Sequence, residues 1–420
     1  MTTTRLMIID DGQGVFTPLT DLRAVFELRT GMHTTLKRIE QLTGLKTDAL
    51  QVPNVLQAVV RARHPKIAVN QDFNQPSDWL VVNGRCCDHQ ILKQVATLEL
   101  GESLQQTDQT LIGARVSLTQ NWNLPAKMSV VTTDKPALMS KLWEIHNFLH
   151  GNLMDDIHRC PIKPIEQPPP GTPAPGSPRP GVSGLPGGVI VFGEHVVKVH
   201  PSAKLQPGVI LNSEAGPIVI DANALVESPS VIQGPCYVGK GAMVAPMTQL
   251  RGDTVIGPVC KVAGEIKASI IAGYSNKAHG GYLGNALMGY WVNLGADTTA
   301  SNLKNTYTPV RMQLAPNEPR EDTGLANLGP VIGDYVRTGI ATCMPTGTVI
   351  GTGTMIAQST FIATCVPPMG FITDRHAQVY EAEKFIQTAN TIMGRRGDKL
   401  TPAEEDRLRD LARDAAGYYC

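Results

Sequence analysis

The residues best suited to chemistry lie in one central stretch of the chain. His279 stands among small residues in SNKAHGGYLGN (275–285), and Tyr282 follows three positions later. Arg251, Glu265, Lys267, Asn285, Asn293 and Asn302 are spread around it where spacer residues would be expected. An imidazole titrates near neutrality and can accept a proton from a nucleophile. A guanidinium can grip a phosphate as a fork, and an ammonium can hold one as a point charge. A tyrosine hydroxyl and several amides can bond sugar hydroxyls. Each of these residues also has a plainer reading: a lone His satisfies a turn, a single Lys or Arg pairs at the surface, and an Asn settles a bend. The elements that carry them decide between the two.

Ile220, Val226, Ile232, Val238, Val244, Leu250, Ile256 and Val262 follow one another at steps of six, with Gly, Pro, Asn or small residues in most of the gaps. A helix needs a period near 3.6 and an ordinary strand a period of 2, so neither explains the pattern. A hexapeptide repeat does, because three short strands and three turns close one triangular coil. Residues eighteen apart then stack, predicting the columns Ile220/Val238/Ile256 and Val226/Val244/Val262. The register breaks after Val262 and returns at Met288 and Leu294. After an irregular stretch, 304–328, it resumes at Ile332, Met344, Ile350, Ile356 and Ile362. His279 lies inside the first interruption, where regular stacking gives way to something else.

Residues 161–188, PIKPIEQPPPGTPAPGSPRPGVSGLPGG, read as a semi-rigid spacer, partly polyproline. Before it, RLMIID (5–10) and WLVVN (79–83) look like buried parallel strands, while 36–42 and 142–153 look helical, which predicts an α/β domain over 1–160. After it, a left-handed parallel β-helix is expected over 189–372. A helical tail follows over 373–420, where Thr401 to Glu404 forms a capping box with Pro402 at the first helical position. Its mixed charges read as a solvated face.

The 37 basic and 37 acidic residues balance, which argues against a nucleic-acid partner. No apolar run suggests a signal peptide or a membrane span. The eight Cys include no CxxC pair, so reduced thiols and a cytoplasmic setting are expected. A three-His zinc site in the β-helix is excluded, since His279 is the only His between 201 and 366.

The stretch QLRGD…GEIKASIIAGYSNKAHGGYLGNALMGYWVNLGADTTASNLK resembles the acetyltransferase domain of the bifunctional N-acetylglucosamine-1-phosphate uridylyltransferase/glucosamine-1-phosphate acetyltransferase family. That pattern runs LR, then E-x-K, then H-x-x-Y-L-G-[DN], V-N-[IL]-G-A and a later Asn. The match is close over 250–303 and looser over 196–366. The resemblance implies that His279 is the general base, that Arg251 and Lys267 hold a sugar phosphate, and that Tyr282 and Asn293 position the sugar. It places Asn302 and Ile340 on the side of acetyl-CoA, the implied acyl donor, and it implies a homotrimer. Two departures fall on that donor side. Leu303 stands where the family has Tyr, and 304–328 is inserted before a downstream Lys of the family.

The first domain lacks the G-x-G-T-R loop of that family's nucleotidyltransferase. Its PLTDLR (18–23) and LRTG (28–31) instead resemble a divergent branch of sugar nucleotidyltransferases fused to the same β-helix. This implies Arg23 and Arg29 as nucleotide-phosphate ligands and Asp10 or Asp11 as a Mg²⁺ ligand for UTP. Against the metal, Asn83 stands at the strand end where a metal-binding Asp is usual. The chain is thus expected to acetylate an amino-sugar 1-phosphate and to transfer uridylyl to the product. A monofunctional acyltransferase with a degenerate first domain and a non-catalytic regulatory β-helix remain the alternatives.

Overall fold

The computed structural model describes residues 4–72, 76–118, 128–165 and 185–419. By its contacts the chain divides into two compact units. One runs as far as Phe16 and adds Leu22–Asn152 and Thr401–Arg407; the other holds Thr17–Asp21, Leu153–Leu400 and the chain from Leu408 on. These bounds differ from those drawn on the sequence. The first division falls after Asn152, inside the helix Ile145–Arg159. Most of the proline-rich segment, 166–184, lies outside the described residues. Packing of the β-helix already begins before 189, since Ile165 joins its core and its N–H donates to the Val197 carbonyl at 2.9 Å.

In the first unit, strands β1 (Arg5–Ile9), β2 (Thr47–Gln51), β3 (Ala68–Val69), β4 (Ser77–Asn83), β5 (Glu102–Gln106), β6 (Leu111–Leu118) and β7 (Ser129–Thr133) form one sheet in the order 3-2-1-4-6-5-7. β1, β2, β3 and β4 run parallel, and β6 pairs antiparallel with β4. Leu6, Ile8, Leu80 and Val82 pack on one face, while Met7, Ile9, Trp79 and Val81 pack on the other. Burial on both faces is why these strands read as continuous apolar runs. Helices α1 (Thr35–Thr43), α2 (Asn54–Arg63), α3 (His89–Val95) and α4 (Ile145–Arg159) follow in chain order. Thr34 caps α1 by accepting from the Lys37 N–H, and Asp88 caps α3 by accepting from Gln90 and Ile91.

The second unit is a left-handed parallel β-helix with three parallel sheets along its length. The expected columns are present: Ile220 pairs with Val238 and Val238 with Ile256, while Val226 pairs with Val244 and Val244 with Val262. The two interruptions differ physically. After Val262 stacking continues through a shortened coil, with Ile256 beside Ile271 and Val262 beside Lys277. The second interruption leaves the coil altogether: Arg311–Met312 pairs antiparallel with Glu321–Asp322, so 304–328 contains a hairpin and is not wholly irregular. Val310, Met312 and Leu328 bury it, and Met288 resumes the stack directly against Ile332.

The tail opens with a strand, Ala377–Val379, antiparallel to Gly370–Thr373, before helices α5 (Ala382–Gly394) and α6 (Pro402–Ala415). The capping box forms, with Thr401 N–H donating to Glu404 at 2.9 Å and Glu404 N–H to the Thr401 hydroxyl at 3.2 Å. The face of α6 is not wholly solvated as expected, because Leu408, Leu411, Ala412 and Ala415 are buried and Glu404 pairs with Arg63 at 3.1 Å. Among the described residues no helix is long and apolar enough to cross a membrane.

Candidate active site

One sheet of the β-helix carries the strands Gln249–Leu250, Glu265–Lys267 and Tyr282–Gly284 on successive coils. Gln249 pairs with Glu265, Glu265 with Tyr282, and Lys267 with Gly284, while the Arg251 N–H donates to the Ile266 carbonyl. Leu250, Ile266 and Leu283 point inward and are buried. Alternation therefore turns Arg251, Glu265, Lys267 and Tyr282 outward together. Arg251 bonds Glu265 at 2.8 Å, with both side chains around two-fifths exposed (43% and 37%), and Lys267 is exposed beside them.

Gly284 is required by Tyr282. A Cβ at position 284 would lie 2.1 Å from the tyrosine oxygen, so the phenol crosses its strand only because that residue has no side chain. Burial raises the Tyr282 hydroxyl above its ordinary value and the Glu265 charge adds to this, while Arg251 and a bond to Asn302 oppose it. Asn302 also donates to the Asn285 side chain at 2.7 Å. Arg251, Glu265, Tyr282, Asn302 and Asn285 thus form one connected polar surface.

His279 lies at the corner between Asn276–Lys277 and Tyr282–Gly284, and it is exposed. Lys277 sits beneath it in the interior column otherwise filled by Val226, Val244 and Val262, and it is only 2% exposed. Its ammonium donates to the carbonyls of Ala263 at 3.2 Å, His279 at 2.8 Å and Gly280 at 2.7 Å. Burial draws this amine down to about 8, with Asp297 resisting. Asn293 is on the sheet that leads into this corner, where it accepts from Asn276 at 3.2 Å and bridges to Arg337. Ile340 occupies the same corner further along, with Ala341 hydrogen-bonded to Ala296 of the preceding coil, and is 77% exposed. Leu303 bridges Asn327 at the root of the inserted hairpin, so the position where a Tyr was expected is where the chain leaves the coil.

Sequence reasoning missed Lys277 and Asn276. The signal for Lys277 was available, since it falls where the six-residue step requires an aliphatic once the shorter coil is allowed for. Asn276 carries no such signal, because an outward polar residue on a strand is ordinary.

The first unit places its expected ligands differently. Arg23 is buried at 7% exposure, and its charge faces Glu27 and Arg63. Glu27 accepts from both Arg63 at 3.0 Å and His64 at 3.0 Å. Burial alone would raise that carboxyl, but Arg63, His64 and Arg23 hold it at about 2. The Arg29 guanidinium donates to the Met32 carbonyl. Both arginines are thus engaged within the domain, Arg23 beside Glu27 and Arg63 and Arg29 at a carbonyl of its own loop.

The expectation of Asp10 or Asp11 as a Mg²⁺ ligand is tested by the donors around them. Asp11 Oδ1 accepts from Arg85 Nε at 2.9 Å and the Gln13 N–H at 3.1 Å. Its Oδ2 accepts from Arg85 Nη2 at 2.7 Å and Asn83 Nδ2 at 2.9 Å. A carboxylate offers about four lone-pair sites, and all are taken. Asp10 accepts from the Gly12 N–H at 3.0 Å and the Val25 N–H at 2.9 Å, and burial raises it above the usual carboxylate range. Among the described residues no group of three or more His, Cys, Asp or Glu could hold a metal. Asp11, with its oxygens filled, does not fit a divalent ion.

Residues 6–161 match the family described as sugar nucleotidyl transferase. A bifunctional sugar-1-phosphate nucleotidylyltransferase/acetyltransferase of Sulfurisphaera tokodaii is 30% identical over 164 residues, covering 39% of this chain and 38% of the relative. The bifunctional protein GlmU of Methanococcus vannielii is 29% identical over 136 residues, covering 32% and 31%, and that of Rippkaea orientalis is 38% identical over 103 residues, covering 24% and 21%. These matches span well under two-thirds of each relative's length. A UDP-N-acetylglucosamine acyltransferase from Campylobacter jejuni covers 53% of this chain and 91% of its own at 15% identity, with a TM-score of 0.22, too slight to argue from. Residues 6–161 thus match a sugar nucleotidyl transferase domain, and part of the chain is similar to bifunctional GlmU proteins, of which it spans about a fifth to two-fifths.

Proposed function

We propose that the β-helix transfers an acetyl group from acetyl-CoA to the amine of an amino-sugar 1-phosphate such as glucosamine 1-phosphate, with His279 as the general base. The observation that carries this reading is the outward face on which Arg251, Lys267 and Tyr282 stand together beside the His279 corner. As the amine nitrogen attacks the thioester carbonyl, its proton passes to the imidazole. The C–S bond breaks and the departing thiolate of CoA recovers the proton. Lys267 and the outer edge of the Arg251 fork meet the sugar phosphate, and the modest exposed pair with Glu265 yields to it at little cost. Tyr282 and Asn293 orient the sugar, and the amide of Asn302 faces the oxygen on which charge develops. Ile340 offers an apolar contact to the acyl donor. Cyclic packing of three copies would supply the remaining wall of each site.

His279→Ala should lower acetyl transfer by roughly 10²–10⁴-fold, measured as thiol release from acetyl-CoA, with an unchanged circular dichroism spectrum. Turnover near that of the parent protein would remove the assignment. The trimer is checked by light scattering; a fully active monomer would exclude it.

For the first domain the family match supports sugar-nucleotide chemistry, with UTP as the nucleotide implied by the resemblance. A second reading has a specific observation behind it: the saturated Asp11 carboxylate favours a domain that no longer cleaves a triphosphate, joined to a working acyltransferase. Sugar-dependent pyrophosphate release from UTP separates the two.

A further inference from the structure

Phosphoryl-type transfer is almost entirely positioning and charge neutralisation, so a domain that performs it must bring cations to the phosphates. In the first domain the cations near the end of β1 are spent internally. Arg23 faces Glu27, Arg29 donates to a backbone carbonyl, and Arg85 lies across Asp11. The Arg85 side chain is 5% exposed and is held at one further point, Nη1 donating to the Met139 carbonyl at 2.9 Å, while its backbone is held at two: the N–H donates to Asn83 Oδ1 at 3.0 Å and the carbonyl accepts from the Met139 N–H at 3.2 Å. The turn that delivers it is fixed by close approach. Gly84 donates to the Ile9 carbonyl at 2.7 Å, and a Cβ there would meet Phe26 at 2.8 Å. Asn83 then ties the ends of β4 and β6 together by donating to the Leu111 carbonyl at 3.0 Å.

A planar fork delivering two parallel N–H groups to one carboxylate is a geometry that Arg makes and a metal ion does not. A divalent ion at Asp11 would have to displace Arg85, Asn83 and the Gln13 amide from the oxygens. It would also stand against a guanidinium whose side chain is only 5% exposed. Mg²⁺ keeps several waters and requires near-octahedral oxygen ligands, which this filled coordination sphere does not offer.

We propose that Arg85 is the resident counter-ion of Asp11, occupying the place of a divalent cation, and that the first domain is a metal-free module. It rests on the sugar-nucleotide reading of this domain only for the ligand; the ion pair itself does not depend on that reading. A domain wired in this way does not cleave a triphosphate with a metal held at Asp11, whatever sugar or nucleotide ligand it takes.

The test is Mn²⁺ titration of the full chain followed by electron paramagnetic resonance, comparing the parent protein with Asp11→Asn and Arg85→Met. The parent and Asp11→Asn should leave the same free Mn²⁺ signal. Arg85→Met should gain one bound equivalent that the double variant with Asp11→Asn loses. One equivalent bound by the parent and lost in Asp11→Asn would overturn the proposal, and so would an Arg85→Met protein that folds and gains none. If Arg85→Met does not fold, the parent against Asp11→Asn still decides. Magnesium-dependent pyrophosphate release from UTP that Asp11→Asn abolishes would overturn it equally. Failure to bind any nucleotide would count against the sugar-nucleotide reading alone, because the metal titration contains no nucleotide.

Discussion

The two halves of this protein treat charge in opposite ways. On the outward face beside the His279 corner the cations are exposed or weakly held: Lys267 faces solvent, and Arg251 shares one exposed bond with Glu265. In the first domain Arg23, Arg63 and Arg85 are taken up by buried or nearly buried partners. A charge kept for a ligand must be available at modest cost, whereas a charge kept for the fold is desolvated and fully bonded. By that measure the outward face of the β-helix keeps cations accessible, as the proposed sugar phosphate would need, and the end of β1 is built to hold itself together.

The largest effect should come from breaking the buried network. Glu27→Gln leaves Arg63, Arg23 and His64 around a neutral amide, and loss of one partner of a buried pair costs about 3–5 kcal/mol. Arg251→Met on the other face should cost under ~1 kcal/mol of stability while weakening the sugar phosphate. Denaturant unfolding of both variants checks the contrast, and equal costs would break it. The pH dependence has a definite sign. Glu27 is held at about 2 in the folded chain, below its unfolded value, so its contribution is present above that unfolded value and fades as pH falls toward 2.

Gly284→Ala sharpens the contrast from the other side. A methyl group there would meet the Tyr282 oxygen at 2.1 Å and push it away from Asn302, while the buried strand neighbours Ile266 and Leu283 stay in place. Activity should fall about tenfold, equivalent to ~1.4 kcal/mol, with little change in unfolding midpoint. A large loss of stability with intact activity would show that the phenol supports the fold and not a ligand.

How far these features could be read in advance depended on whether a residue's partner is periodic. The column Ile220/Val238/Ile256 was legible because stacking repeats at a fixed interval, and the capping box at Thr401 because its two members are three residues apart. The outward set Arg251, Lys267 and Tyr282 was legible through motif spacing. The Asp11–Arg85 fork was not, since it joins residues 74 apart through the ends of two parallel strands. The fate of Glu404 was hidden for the same reason, as its partner Arg63 lies 341 residues away. The hairpin in 304–328 gave no alternation because each of its strands is two residues long.

The effect that probes the boundary between fold and site concerns Lys277. It is a charge inside an apolar column, yet its three bonds end on the turn that presents His279, so it belongs to both kinds of region. In the unfolded chain a lysine holds its proton to about 10.4, whereas here burial draws the amine down to about 8. Between those values the unfolded chain binds more protons, so stability rises with pH, and below about 8 the term is flat. Lys277→Met keeps the length of the side chain and removes the titration. The stability of the parent minus that of the variant should therefore grow by about 1–2 kcal/mol between pH 8 and 9.5, against a ceiling near 1.4 kcal/mol per pH unit for one group. Cysteines and tyrosines that titrate in the same range are common to both proteins and cancel. Urea unfolding at three pH values measures it, and a difference that stays level would mean that the ammonium is hydrated and the column is not dry at this coil. If the difference grows and Lys277→Met also lowers acetyl transfer, the interior amine both limits the fold and fixes the corner on which His279 stands.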